Sequence, residues 1–200
     1  MAELTVGRVQ LYLAGFLAAG KSTVGQQLAR ALEMPFYDLD AHVEARLGKT
    51  IERILREEGE AFYRAVEAEI LRELSLLPYA VVALGAGTLS NPASRDVIRK
   101  SGILIWLQAT PETLWNRAVE ADRLARLYHP TVDLENLPSA ATLRERLVHL
   151  LEAREPLYRE ADVTVETSGL RVEEVVESIL EKLRGAGHDF VAGRLQVFQR

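Results

Sequence analysis

Residues 15–22 read Gly15-Phe16-Leu17-Ala18-Ala19-Gly20-Lys21-Ser22 and decide the fold class. They fit the pattern G-x-x-x-x-G-K-[ST], in which glycines let the backbone curl so that its N–H groups point at phosphate oxygens. The apolar run of residues 9–14 predicts a strand before the loop, and the pattern of residues 21–32 predicts an amphipathic helix after it. This order favours a loop that binds the phosphates of a nucleoside triphosphate at the positive end of a helix.

The polar residues of this loop have expected partners. Lys21 is expected to reach the β- and γ-phosphates of the nucleoside triphosphate, and the Ser22 hydroxyl is expected to ligate Mg²⁺. A chance match in a Gly- and Ala-rich turn is the alternative, and the strand and helix around the motif argue against it. The residues predicted to contact this cofactor are Gly15, Ala18, Ala19, Gly20, Lys21, Ser22 and Thr23.

Apolar runs alternate with helical patterns along the rest of the chain. Strands are predicted at residues 9–14, 35–38, 79–84, 103–107 and 163–165, and helices at 21–32, 41–47, 50–57, 60–74, 92–100, 111–121, 141–154 and 172–183. Apolar strands separated by helices predict an α/β fold with a parallel sheet covered on both faces. In helix 60–74, Phe62, Val66, Ile70 and Leu74 recur every fourth position and are expected to form its apolar face.

Length and composition bound the function. The 200 residues suit one domain, and 24 Lys and Arg against 29 Asp and Glu leave a net charge of −5. This balance argues against a nucleic-acid partner that depends on overall positive charge. The absence of cysteine excludes disulfides and thiolate catalysis and fits a reducing compartment, so we expect a cytoplasmic protein. The apolar run of residues 9–19 is too short to span a bilayer, so no membrane partner is expected.

Two carboxylates end the second predicted strand, where ligands bind in such sheets. Asp38 and Asp40 can divide the work there, since a hydroxyl group must be aimed at the γ-phosphorus and relieved of its proton. The alternative is a solvated pair in which Asp40 caps the helix that begins at residue 41.

Two arginines are candidates for binding an acidic acceptor. Arg64 and Glu67 are three residues apart and therefore share a helix face, where the planar guanidinium can bind a carboxylate. Arg154 offers a second such group. The alternatives are an ordinary surface ion pair for Arg64 and a cation at a helix C-terminus for Arg154.

The residues around these candidates resemble the shikimate kinase family, from about residue 9 to about residue 184. The resemblance is carried by Phe36-Tyr37-Asp38-Leu39-Asp40, by Gly59-Glu60-Ala61-Phe62-Tyr63-Arg64-Ala65-Val66-Glu67 and by Glu152-Ala153-Arg154-Glu155-Pro156-Leu157-Tyr158. It implies a three-layer α/β/α sandwich with a five-stranded parallel sheet in the order 2-3-1-4-5. The implied activity is ATP-dependent phosphorylation of the shikimate 3-hydroxyl in aromatic amino-acid biosynthesis, with Mg²⁺ as cofactor.

The resemblance also implies a division of the chain. Residues 1–184 are expected to form a single P-loop kinase domain, with a mobile lid at about 122–140 and acceptor-binding helices at about 41–75. Residues 185–200 are expected to form a C-terminal tail. We expect a monomer whose partners are shikimate and ATP.

In this family the residue matching Asp38 lies near magnesium through water, and the one matching Asp40 binds the acceptor hydroxyls. The matches of Arg64 and Arg154 bind the shikimate carboxylate, and the match of Glu67 holds the first arginine. Further substrate contacts are implied at Gly85, Ala86 and Gly87, where the family usually has three glycines. An alanine keeps the backbone N–H but disfavours positive φ, which could suit a different acceptor.

The lid and the adenine loop also depart from the family pattern. The family has an arginine followed by Pro-Leu-Leu, and here the run is Arg123-Leu124-Ala125-Arg126-Leu127. Arg123 is the positional match for the catalytic lid arginine, and Arg126 is its rival. Arg117 is the candidate for stacking on adenine, and the run of residues 166–169 lacks the family's proline. Two alternatives therefore stay open: a kinase of the same fold that acts on another small hydroxy acid, and a ligand-sensing domain without catalysis.

The two lid arginines can be separated by mutation. Arg123→Ala and Arg126→Ala are compared for turnover, and we expect one of them to lower it because a lid arginine stabilises the charge on the transferring phosphoryl group. If neither variant lowers turnover, the lid-arginine assignment is wrong.

Overall fold

Five parallel strands form the centre of the computed structural model, which describes residues 9–121, 139–191 and 194–197. The strands are β1 Val9–Ala14, β2 Phe36–Asp38, β3 Tyr79–Ala83, β4 Gly102–Gln108 and β5 Val163–Glu166. They pair in the order β2-β3-β1-β4-β5, which confirms the predicted sheet. Strand β1 lies in the middle, and its residues from Gln10 to Ala14 are buried, as expected for a strand covered on both faces.

Helices flank this sheet close to their predicted positions. They are α1 Lys21–Leu32, α2 Leu39–Leu47, α3 Ile51–Glu57, α4 Glu60–Ser75, α5 Pro92–Ser101, α6 Pro111–Glu120, α7 Ala140–Tyr158 and α8 Val172–Gly185. A short 3₁₀ turn spans Thr88–Ser90. Several of these helices follow a residue whose side-chain oxygen accepts a hydrogen bond from a backbone N–H of the first turn. The capping residues include Thr50 for α3, Asn91 for α5, Thr110 for α6 and Ser139 for α7. Each cap satisfies a donor that the first turn of a helix leaves unpaired.

The buried face of α4 differs from the predicted one. Phe62 is 41% exposed and Val66 is only partly buried, whereas Tyr63 and Glu67 are buried beside Ile70, Leu71 and Leu74. This face of the helix is buried because the side chains of Tyr63 and Glu67 hydrogen-bond to each other and to groups beneath the helix. Apolar spacing alone therefore identified the helix but misjudged its orientation.

Helix α7 continues past its predicted end at Arg154 to Tyr158, although Pro156 lies within it. Tyr158 is 2% exposed, and its ring stacks on Trp106 at 5.9 Å between centroids. Burial of this ring anchors the last turn and compensates for the hydrogen bond that the proline removes. Arg154 thus lies inside the helix, and the interpretation as a C-terminal cation is wrong.

The segment after α8 contains a second, separate sheet. Strands β6 His188–Val191 and β7 Arg194–Val197 pair antiparallel, where the sequence indicated only a tail. Among the helices in the described ranges, none is long and apolar enough to cross a membrane.

The fold predicts a steric requirement at the start of β4. A Cβ added to Gly102 would overlap the backbone carbonyl of Gln10 on the neighbouring strand. We therefore expect Gly102→Ala to lower the free energy of unfolding by about 1–3 kcal/mol, measured by urea denaturation. Gly185→Ala is the matched control, because nothing lies within 4 Å of a Cβ there and helix propensity improves. Equal stability of Gly102→Ala and the parent would contradict the packing argument.

Candidate active site

The loop between β1 and α1 has the backbone of a phosphate cradle. Gly15 has φ of 153°, Ala18 of 60° and Gly20 of 92°, so three of its residues adopt positive φ. A Cβ at Gly15 would lie 2.8 Å from the carbonyl oxygen of Leu107 on β4. Gly20 caps α1 without any side-chain hydrogen bond, which leaves the first N–H groups of the helix for an anion. Ala18 holds a conformation that costs an L-residue energy, as residues at ligand sites often do.

Two side chains at the start of α1 point into this region. The Lys21 Nζ donates to the carbonyl oxygens of Gly15 and Phe16 at 2.9 and 3.0 Å, so its charge lies against the loop. The Ser22 hydroxyl donates to Asp38 Oδ2 at 2.5 Å. The loop and the end of β2 are therefore joined by a direct hydrogen bond.

The two aspartates at the junction of β2 and α2 have different surroundings. Asp38 caps α2, because its Oδ1 accepts from the backbone N–H of Ala41 at 3.2 Å. The alternative in which Asp40 caps this helix is thereby excluded. Asp40 lies in the first turn, and its Oδ1 accepts from the Tyr63 hydroxyl at 3.1 Å. Burial, opposed chiefly by the charge of Lys21, raises the pKa of the Asp40 carboxyl, and Asp38 and Glu67 raise it further.

A buried carboxylate organises the facing side of α4. Glu67 is 1% exposed and accepts from Arg64 Nη1 at 2.9 Å, from the Thr88 hydroxyl at 2.7 Å and from the Tyr63 hydroxyl at 3.3 Å. The guanidinium of Arg64 also lies 4.9 Å from the centre of the Tyr63 ring. Burial and the neighbouring charges of Asp40 and Glu67 raise the pKa of Tyr63, so this phenol stays protonated and acts as a donor. The predicted Arg64–Glu67 pair is thus part of a buried network rather than a surface ion pair.

The loop after β3 lies against the carboxylates of both Asp40 and Glu67. A Cβ at Gly85 would lie 2.6 Å from Glu67 Oε1 and 2.7 Å from Asp40 Oδ1, and one at Gly87 would collide with Arg64. Ala86 is not among the described residues with positive φ, and its carbonyl accepts from the Tyr158 hydroxyl at 2.8 Å. Alanine is therefore accommodated at the middle position, whereas a Cβ at either flanking position would displace Asp40, Glu67 or Arg64 from its present place.

Arg154 faces the phosphate loop from α7. Its guanidinium lies 5.5 Å from the centre of the ring of Phe16, a residue that is 2% exposed. One turn later, burial raises the pKa of Tyr158 to about 12. The positive charge of Arg154 and a hydrogen bond with its side chain act in the opposite direction. Because Tyr158 also bonds the Ala86 carbonyl, it fixes this part of α7 beside the loop after β3.

Arg117 is held by the end of β5. Its two terminal nitrogens donate to the hydroxyl and the carbonyl of Thr167 at 3.1 and 2.7 Å. Glu166 Oε1 accepts from the backbone N–H groups of Thr167 and Ser168 and orders the same turn. Arg123 and Arg126, together with the rest of residues 122–138, lie outside the described residues.

Four partners in this site were not identified from the sequence as functional: Phe16, the Tyr63 hydroxyl, Thr88 and Tyr158. Tyr63 and Tyr158 lie inside the motifs quoted above, and their hydroxyl groups were the feature of the sequence that could have indicated a polar role. Thr88 gave none, since its contact with Glu67 joins residues 21 positions apart.

Hard oxygen atoms are the candidate metal ligands here. Across residues 9–121, 139–191 and 194–197, no group of three or more His, Cys, Asp or Glu side chains could hold a metal ion. The Ser22 hydroxyl and the Asp38 carboxylate lie together beside the phosphate loop. Mg²⁺ prefers one or two protein oxygens plus phosphate and water, so this pair fits it.

Comparison with known proteins identifies the family. Residues 17–184 match the family model described as shikimate kinase. The chain belongs to the shikimate kinase family. A shikimate kinase from Thermus thermophilus is 43% identical over 185 residues, which cover 92% of this chain and 95% of that protein.

Solved structures of the family agree with this assignment. Shikimate kinase from Acinetobacter baumannii, in complex with shikimate, has a TM-score of 0.79 at 31% identity and covers 89% of this chain and 94% of that chain. Shikimate kinase from Aquifex aeolicus has a TM-score of 0.74 at 31% identity, with 89% and 98% covered. The chain is therefore a P-loop kinase of the shikimate pathway, and its family uses ATP as a substrate.

The environment of Asp40 predicts a conflict between stability and function. Because the pKa of this carboxyl is raised in the folded protein, its ionised form lowers stability at pH 7. We expect Asp40→Asn to raise the free energy of unfolding at pH 7 by about 1 kcal/mol, measured by urea denaturation without nucleotide or metal. The gain should shrink as the pH falls from the raised pKa towards the ordinary carboxyl value of 3.8, because below that value the wild-type group is protonated in both states.

Asp96→Asn serves as the control, because the Asp96 side chain is 62% exposed and its replacement should change stability by less than about 0.5 kcal/mol. A loss of stability in Asp40→Asn at pH 7 would contradict the stated origin of the pKa shift.

Proposed function

We propose that this protein transfers the γ-phosphoryl group of ATP to the 3-hydroxyl of shikimate, giving shikimate 3-phosphate and ADP. The observation that carries the proposal is a continuous polar network beside the phosphate loop: Asp40, close to Lys21, is hydrogen-bonded to Tyr63, which reaches Glu67 and thereby Arg64. A base near the phosphates and a cation at the other end suit an acceptor with a hydroxyl and a carboxylate.

Arg64 and Arg154 bind the acceptor carboxylate in this proposal. Arg64 is held by Glu67 against the loop after β3, and Arg154 is held over Phe16. Guanidinium groups whose positions are already fixed lose little freedom when they bind a planar anion. The backbone of Gly85, Ala86 and Gly87 completes the acceptor side. The relative from Acinetobacter baumannii is described as a complex with shikimate, which supports this choice of acceptor.

Asp40 orients the attacking hydroxyl and accepts its proton. A carboxyl group with a raised pKa is a better base than an ordinary one, and Lys21 keeps it partly balanced by positive charge. The proton leaves the shikimate oxygen for Asp40 as that oxygen bonds to the γ-phosphorus and the bond to the β-phosphate oxygen breaks. The transition state is loose, so positioning and charge stabilisation supply most of the catalysis.

The nucleotide lies on the loop of residues 15–23. Backbone N–H groups from Ala18 to Thr23 bind the phosphates, and Lys21 exchanges its carbonyl partners for phosphate oxygens. Arg117, fixed by Thr167, provides a flat surface for adenine. Arg123, with Arg126 as its rival, is the proposed lid residue that stabilises the transferring group.

Ser22 and Asp38 would hold Mg²⁺, Ser22 directly and Asp38 through water. When bound, the ion neutralises charge on the phosphates. The hydrogen bond between the two side chains places their oxygens for this task without a ligand. We further propose that the protein works in the cytoplasm as a monomer.

The alternatives raised by Ala86 and the lid receive less support. Ala86 fits without positive φ, and identity of 43% extends over nearly all of the chain. A domain that only senses its ligand would not need Lys21, Asp40 and a Ser22–Asp38 pair together. A kinase for another hydroxy acid is tested by the choice of acceptor.

The test is shikimate-dependent release of ADP in the presence of ATP and Mg²⁺. We expect Asp40→Asn to lower kcat by about 10²–10⁴-fold, because the proton acceptor is lost. Arg64→Ala and Arg154→Ala should raise the KM for shikimate about 10–100-fold, the effect of one charged hydrogen bond. The matched control is Arg159→Ala at the C-cap of α7, because the Arg159 side chain is 70% exposed and pairs with Glu155. It should leave both constants unchanged.

Nucleotide binding without shikimate-dependent turnover would overturn the proposed reaction. Turnover with another hydroxy acid, in a panel run beside shikimate, would instead favour the alternative acceptor. A rate in the absence of any acceptor defines the background hydrolysis that is subtracted.

A further inference from the structure

One hydroxyl group lies between the two functional carboxylates of the acceptor side. The Tyr63 oxygen is 3.1 Å from Asp40 Oδ1 and 3.3 Å from Glu67 Oε1. A phenol carries a single proton and can make only one full hydrogen bond as a donor. The question is which carboxylate receives it.

The other donors decide this question. Glu67 Oε1 already accepts from the Thr88 hydroxyl at 2.7 Å, and Glu67 Oε2 accepts from Arg64 at 2.9 Å. Both distances are shorter than the one from Tyr63 to Glu67. The carboxylate of Glu67 is therefore satisfied without the phenol, and the proton of Tyr63 belongs to Asp40.

This bond distinguishes the two oxygens of Asp40. Oδ1 accepts from Tyr63 and lies so close to Gly85 that a Cβ there would be 2.7 Å away. The Tyr63 hydroxyl and the backbone of Gly85 therefore already lie beside Oδ1. We propose that Tyr63 is a positioning residue that holds Asp40 by Oδ1, so that Oδ2 receives the proton of the acceptor hydroxyl.

The inference rests on the proposed function, since it assigns Asp40 to the acceptor. It adds a consequence: the hydroxyls of Tyr63 and Thr88 serve different ends of the acceptor. Tyr63 acts on the group that takes the proton, and Thr88 acts through Glu67 on Arg64. Loss of the first should affect kcat, and loss of the second should affect the KM for shikimate.

The experiment compares three variants that each remove one buried hydroxyl. Tyr63→Phe keeps the ring under Arg64, and we expect kcat to fall about 10–100-fold while the KM for shikimate changes by less than about threefold. Thr88→Val should show the reverse, a KM raised about 3–10-fold with kcat changed less than about threefold. Tyr12→Phe is the matched control, since the Tyr12 hydroxyl bonds Ser101 at 2.7 Å and is not in the acceptor network. It should keep both constants.

Turnover is normalised to the concentration of nucleotide sites titrated with ADP, so that a loss of folded protein does not count as a loss of kcat. No shikimate-dependent turnover in the wild type would overturn the proposed function itself. An active wild type with unchanged kcat in Tyr63→Phe would overturn only the inference. A Tyr63→Phe variant that raises KM alone, as Thr88→Val does, would also overturn it, because Tyr63 would then belong to Glu67.

Discussion

A carboxylate removed from water is the constraint around which the acceptor side is built. Glu67 is 1% exposed, and removing one partner from such a group generally costs about 3–5 kcal/mol. Its two shorter hydrogen bonds come from Arg64 on α4 itself and from Thr88 in the 3₁₀ turn after β3. Satisfying one buried charge therefore fixes the rotation of α4, the position of Arg64 and the path of the loop after β3. The proposed acceptor site is built from these same groups.

Close backbone approach is the second constraint. Gly85 and Gly87 admit carboxylate and guanidinium groups at distances that any side chain would prevent, and Gly15 does the same for the carbonyl of Leu107. The middle residue of the loop after β3 faces no such requirement, so alanine replaces glycine there. The positions of this glycine-rich motif look equivalent in the sequence pattern, but they differ in the space that the structure leaves for a Cβ.

Most of the fold could be predicted from the sequence because strands and helices of a parallel sheet have distinct apolar patterns. Helix α1 and strand β1 have their predicted bounds, since the phosphate loop separates them sharply. The orientation of α4 could not be predicted, because its buried face includes Glu67, which a count of apolar residues assigns to solvent. The end of α7 was missed because a proline normally marks a boundary, whereas here the burial of Tyr158 extends the helix.

Residues of the candidate site could be predicted from the sequence where they stand in short local motifs. They could not be predicted where their role depends on contacts with residues far along the chain. Asp38, Asp40 and Arg64 stand in short runs, and the resemblance carried them. Thr88 and the ring of Phe16 contribute only through neighbours far along the chain. The spacing of apolar and polar residues along the sequence does not predict such contacts, because they form only when the folded sheet brings its loops together at one edge.

The ring of Phe16 has a consequence for how the two ligands sense each other. Its carbonyl accepts a hydrogen bond from Lys21, and the guanidinium of Arg154 lies over its ring. In the proposed function Lys21 leaves that carbonyl to reach a phosphate, so occupancy of the nucleotide loop would act on the same residue that supports the proposed carboxylate-binding Arg154. Thermodynamic linkage is reciprocal: whatever free energy nucleotide adds to acceptor binding through this ring, the acceptor adds to nucleotide binding.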